Sequence, residues 1–185
     1  MNLPKLLLFD TGCIFEVVKL GLWEQLCKRF RVVVPSTVVR DEALFVNLRP
    51  GNITPIDLSH DVATGLIEEY AASASELKQV LELWPKAILD RADAGEVEAV
   101  AYLRARGTDD TAFLTADGPA IQAAVAIECE GEPMSLEELL QLAGCPRSNL
   151  DWQYTKEFVA IHRQKAVDHL LSQLAPPPAR GRRRK

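Results

Sequence analysis

Leu6-Leu7-Leu8-Phe9 is an unbroken apolar run that ends on a carboxylate, Asp10. A strand without alternation of apolar and polar residues is buried on both faces, and such strands belong to parallel sheets covered by helices. Two more short runs read as strands. Val32-Val33-Val34 is β-branched and is stopped by Pro35, and Ala112-Phe113-Leu114 precedes a second acid, Asp117. Residues 14–20, 22–30, 93–106 and 119–126 carry helical periodicity between and after these strands, and Gly107 closes the third of them. Strands alternating with helices predict an α/β fold, three layers α/β/α around a central parallel sheet.

The intervening segments give further expectations. Ser36 reads as the N-cap of a helix reaching about residue 46, Arg49-Pro50-Gly51-Asn52 as a turn, and residues 53–58 as a short edge strand. Residues 61–71 and 73–83 look like an amphipathic helical pair, and a short strand is expected to start at Ala126-Ile127. Ser135-Leu136-Glu137-Glu138 has the capping-box form and opens a helix to about residue 142. Residues 152–174 read as one long helix that packs on its own domain. The division predicted is a core domain over 1–146, a helical extension over 147–174 and a disordered basic tail over 175–185.

Hydrophobic residues make up 48% of the 185, enough for an ordinary core. No apolar run approaches the roughly 20 residues that span a bilayer. The N-terminal run is too short for a signal peptide, so a cytoplasmic location without membrane association is expected. Cys13, Cys27, Cys129 and Cys145 form no CxxC pair and are not grouped with His60, His162 or His169, so reduced thiols are expected rather than a zinc site. The net charge of −5 does not exclude a polynucleotide substrate, because Arg180, Arg182, Arg183, Arg184 and Lys185 concentrate positive charge at the C-terminus.

The acids fall at comparable structural places. Asp10 ends the first strand, Asp41 and Glu42 follow the second, Asp93 and Glu96 open a helix, and Asp117 follows the third strand. Residues just past the carboxyl ends of parallel strands converge on one crevice. Carboxylates brought together there repel one another, and a hard dication such as magnesium or manganese offsets that repulsion. Such an ion can polarise a phosphate and activate a water, so the chemistry needs no nucleophilic side chain. Each acid also has a structural reading. Asp10 and Asp117 can cap the helices that follow them, Asp93-x-x-Glu96 is a capping-box pattern, and Asp41 and Glu42 can be solvated helix charges.

The ordered set Asp10-Thr11-Gly12, Val34-Pro35-Ser36-Thr37-Val38 leading to Glu42, Gly95-Glu96-x-x-Ala99 and Thr115-Ala116-Asp117 resembles the PIN domain family over about residues 6–126. The resemblance implies a metal-dependent nuclease, usually a ribonuclease; family members include bacterial toxins of the VapC kind and RNA-processing enzymes. It assigns Asp10, Glu42, Glu96 and Asp117 as metal-binding catalytic acids, with Asp93 auxiliary. The cofactor would be Mg2+ or Mn2+, and Thr11 and Thr115 would hold a ligand-bound water. Asp41 competes with Glu42 for the second acid, since Asp41 has the usual distance from Pro35. Implied partners are an RNA substrate, an antitoxin protein if the chain is a toxin, and a second copy in a homodimer. The alternative is a catalytically silent PIN-like module that binds RNA or protein. A phosphatase of the haloacid-dehalogenase kind would need an acid where Gly12 stands.

Overall fold

The computed structural model describes residues 4–42, 45–49, 52–84 and 92–174. Pro50 and Gly51 of the expected turn and the expected tail over 175–185 lie outside them. The first apolar run is strand β1 (Leu6–Phe9), followed by helices α1 (Thr11–Lys19) and α2 (Trp23–Arg29) and strand β2 (Arg31–Pro35). After a π-helical turn (Val38–Glu42) come strands β3 (Phe45–Arg49) and β4 (Asn52–Pro55), helix α3 (Leu58–Ala63), strand β5 (Glu68–Tyr70) and helix α4 (Ala74–Leu83). Helix α5 (Ala94–Arg106), strand β6 (Thr111–Leu114), helix α6 (Gly118–Ala126), strand β7 (Glu132–Met134) and helix α7 (Leu136–Leu142) complete the sheet region. A 3-10 turn (Trp152–Tyr154) and helix α8 (Lys156–Leu174) follow.

Five strands pair in the order β5-β2-β1-β6-β7, and every pairing is parallel. The continuous apolar runs are explained by this placement, because β1 is central and has helices on both sides. Side chains alternate along a strand. Leu7, Phe9, Val32, Val34, Ala112 and Leu114 face α1, α2, α3 and α7, meeting Ile14, Leu26, Leu58 and Leu139. Leu6, Leu8, Val33 and Phe113 face α5 and α6, meeting Ala99, Tyr102, Leu103, Ala120 and Ala124. Helix α4 lies outside these, with Val80 and Trp84 against Val100, Ala101, Ala123 and Ile127. The architecture is therefore the three-layer α/β/α arrangement around a parallel sheet. Helix α8 packs on α6 through Phe158, Val159 and Ile121. No described helix is long and apolar enough to cross a membrane.

Several local expectations are corrected. Ser36 does not cap a long helix. Its hydroxyl donates to Glu98 Oε1 (2.8 Å), and the helical turn begun at Ser36 and Thr37 passes into a π-helical turn over Val38–Glu42, with the chain in β3 by Phe45. The segment after the turn is not an edge strand of the main sheet, because β4 pairs antiparallel with β3 in a separate two-stranded ribbon. The first of the two amphipathic helices stops at Ala63, and Glu68–Tyr70 forms the edge strand β5 instead. Arg31 secures that edge by a forked pair with Glu68, Nε to Oε1 and Nη2 to Oε2, both 2.6 Å. The last strand starts at Glu132, not at Ala126, which still belongs to α6. Extended backbone at Thr155 (φ −88°, ψ 160°) divides the expected helix over 152–174 into the 3-10 turn and α8.

Glu98 is the buried polar residue that holds the turn after β2 in place. Its carboxylate accepts from Ser36 Oγ (2.8 Å), Thr37 N (2.9 Å), Thr37 Oγ1 (3.0 Å) and Ala72 N (2.8 Å). A buried carboxylate is tolerated when its lone pairs are used in this way. Glu98→Ala leaves those donors buried without an acceptor, so unfolding in urea should show a loss of about 3 kcal/mol. A loss below about 1 kcal/mol would mean that water replaces the carboxylate freely.

Candidate functional site

Asp10 is the first residue past the central strand. Its amide donates to Leu114 O (3.0 Å), which extends the β1–β6 pairing by one residue. Its carboxylate, in a residue only 7% exposed, accepts from Thr11 N at Oδ1 (2.7 Å) and from Thr115 Oγ1 at Oδ2 (3.0 Å). The first of these bonds caps α1. Thr115 Oγ1 also accepts from Asp117 N (3.0 Å), so one buried hydroxyl links the ends of β1 and β6. Asp117 in turn caps α6, its Oδ1 accepting from Ala120 N (2.8 Å).

The π-helical turn delivers Glu42 to the same place. Its Oε2 accepts from Thr11 Oγ1 (2.6 Å) and its Oε1 from Gly95 N (3.2 Å). A Cβ at Gly95 would lie 2.8 Å from both Glu42 oxygens and 2.9 Å from Val38 Cγ2, so a side chain there would displace the Glu42 carboxylate. Asp41, the other candidate, is exposed. Glu42 is therefore the acid that the fold turns inward. On α5, Asp93 and Glu96 form a reciprocal capping box: Glu96 N donates to Asp93 Oδ1 (2.8 Å) and Asp93 N to Glu96 Oε2 (3.2 Å). Glu96 is 5% exposed.

Five carboxylates from four segments thus act on one another. Burial raises the Asp10 pKa from the ordinary 3.8 to about 7; the Thr115 hydroxyl and the Thr11 amide oppose the rise, and Asp93 and Glu42 add to it. Burial also raises Glu96, reinforced by Asp117, Asp93 and Asp10, while its bond from the Asp93 amide pulls the other way. The charged groups that act on both are carboxylates. Among the described residues no group of three or more His, Cys, Asp or Glu side chains is placed to hold a metal ion as it stands. The donor set is nevertheless all oxygen with excess negative charge, the chemistry suited to a hard dication and not to zinc or copper. Asp93, Glu96 and Asp117 each keep one carboxylate oxygen outside the hydrogen bonds just described, and those are the atoms such an ion would take.

Three neighbours of the cluster were not singled out by the motifs. Glu98 is one; the Ser36 and Thr37 hydroxyls that it binds were the only signal. His162 is the second. It lies on α8, outside the motif region, yet its ring rests on Gly118, next to Asp117. Tyr154 also reaches the site, its hydroxyl donating to Gly12 O (3.2 Å). No known family model matches the chain, and comparison with curated proteins finds no match either.

The raised acids give a pH signature. Folded Asp10 keeps its proton up to about pH 7, whereas the unfolded chain releases it near 3.8. The folded state therefore binds more protons in that window, and stability falls as pH rises. Glu96 extends the fall upward. Melting temperatures of chelator-treated protein should drop steadily between about pH 5 and 8, and millimolar Mg2+ or Mn2+ should reverse the drop at the upper end. A flat profile would show that the carboxylates are not buried together.

Proposed function

We propose that the chain is a PIN-type endoribonuclease dependent on magnesium or manganese. The observation that carries this reading is the convergence of Asp10, Glu42, Asp93, Glu96 and Asp117 at the carboxyl ends of β1, β2 and β6, with carboxylates as the dominant charges on Asp10 and Glu96. Parallel sheets place ligand sites there, where strand order departs from β1 to either side. A hard dication held by these acids supplies polarisation of a phosphodiester and a water of lowered pKa. The chain's own residues do the positioning. The Thr115 hydroxyl donates to Asp10 and accepts from the Asp117 amide; Thr11 and Gly95 brace Glu42. The capping box fixes Asp93 against Glu96. Low exposure of Asp10 and Glu96 strengthens every charge interaction in the crevice.

The same reading makes the chain a candidate toxin, whose antitoxin would cover the crevice. A silent PIN-like module is the second reading. It is favoured by the hydrogen bonds themselves, because Asp10, Asp93, Glu96 and Asp117 all serve as helix caps or in a capping box. Calorimetric titration with Mn2+ separates the two, since the nuclease reading requires heat of binding at millimolar metal or below.

Asp10→Asn should lower RNA cleavage by at least a hundredfold, the order expected when a positioned charge is lost. The fold should survive, because an amide oxygen can still accept from Thr11 N and the Thr115 hydroxyl can rotate to accept from the amide nitrogen. Circular dichroism and a gel cleavage assay with Mn2+ check both halves. Full cleavage by the folded variant would end the proposal.

A further inference from the structure

We infer that the C-terminal helix adds a substrate-binding residue to this site: His162 presents its Nε2–H as a hydrogen-bond donor to a phosphodiester oxygen held beside Asp117. The inference rests on the nuclease reading and deepens it.

Three contacts set the ring. Phe158, one turn earlier on α8, stacks at a tilt against it, with centroids 4.5 Å apart. Gly118 admits it, since a Cβ at that position would overlap ring atoms Cε1 and Nδ1. Gln122 then decides which nitrogen carries the proton. Its Nε2 donates to Gly118 O (3.2 Å) and also lies 3.0 Å from His162 Nδ1. A carbonyl oxygen only accepts, so the amide NH2 must face both partners, and Nδ1 must be the acceptor. The proton of the neutral ring is then on Nε2. Among the described residues that N–H has no hydrogen-bond partner, although the side chain is half-buried. Burial and the neighbouring charge of Lys165 favour the uncharged ring, and Asp117 opposes them.

The chemistry fits a phosphodiester. An all-carboxylate crevice repels a polyanion, and a backbone oxygen entering it needs donors at its margin. His162 offers a neutral one, and Lys165, one turn further on α8, adds an exposed ammonium on the same side. Phosphate contacts from such residues position a nucleic acid without reading its sequence. The rigid anchoring of α8 on α6 through Ile121, Phe158 and Val159 fixes the donor relative to Asp117.

The test uses full-length protein and a fluorescein-labelled single-stranded RNA. Anisotropy titrations are run with Ca2+ in place of Mg2+, and steady-state cleavage with Mn2+. His162→Ala should raise both Kd and KM about tenfold, the equivalent of one lost hydrogen bond to a charged group, with kcat within about twofold. His162→Gln, whose amide nitrogen can occupy the place of Nε2, should restore most of the loss. His162→Asn, which reaches only the place of Nδ1, should not. The Gln–Asn comparison keeps the test valid should the alanine variant unfold. Equal Kd and KM for the wild type and the Asn or Ala variants would overturn the inference. A wild type that binds RNA without cleaving it would refute the nuclease reading and leave His162 to be judged by anisotropy alone. A wild type that does not bind would overturn both.

Discussion

The Asp10 carboxylate is removed from water at the end of the buried central strand, and the surrounding structure answers to that. A buried ionised carboxylate without partners is costly. Two hydrogen bonds, from Thr11 N and Thr115 Oγ1, meet part of the cost. The remaining neighbours make it worse, because Glu42 and Asp93 add like charge. Left to itself the group retains its proton to about pH 7.

The same side chains do two jobs. Asp10, Asp93 and Asp117 each satisfy free amides at a helix start, which fixes the carboxylates to within a rotamer. Capping thus fixes where these carboxylates point, whether or not a cation joins them. Glu42 is the exception. It reaches the crevice from a π-helical turn, and that turn depends on Glu98 gripping Ser36 and Thr37 and on the missing side chain at Gly95. Wide turns of this kind re-aim a residue that a regular helix would point elsewhere.

Much of this was legible in the sequence. The apolar runs at 6–9, 32–34 and 112–114 marked the three middle strands, because double-sided burial removes alternation. The edges were less readable. Glu68-Glu69-Tyr70 pairs only on one side, carries two charges and has no strand signature of its own. The helical signals over residues 36–46 hold for 36–42 and fail from Phe45, where β3 pairs with β4. Distance from Pro35 favoured Asp41, whereas the hydrogen bonds from Thr11 and Gly95 go to Glu42. His162 and Tyr154 were illegible for another reason. Their contacts join segments 40 and 142 residues apart, and no local pattern encodes such an approach.

The strand order has a consequence for how the chain is made. Within this sequence β1 is synthesised before any other strand, yet it ends in the middle of the sheet. Its partner β2 follows soon, whereas β6, which completes its other side, emerges only after roughly a hundred further residues. Until then a wholly apolar strand presents an open edge, the kind of surface that seeks other chains. Translation of this protein should therefore be the stage at which it most needs a chaperone, and a pause between β2 and β6 the most hazardous place to interrupt it.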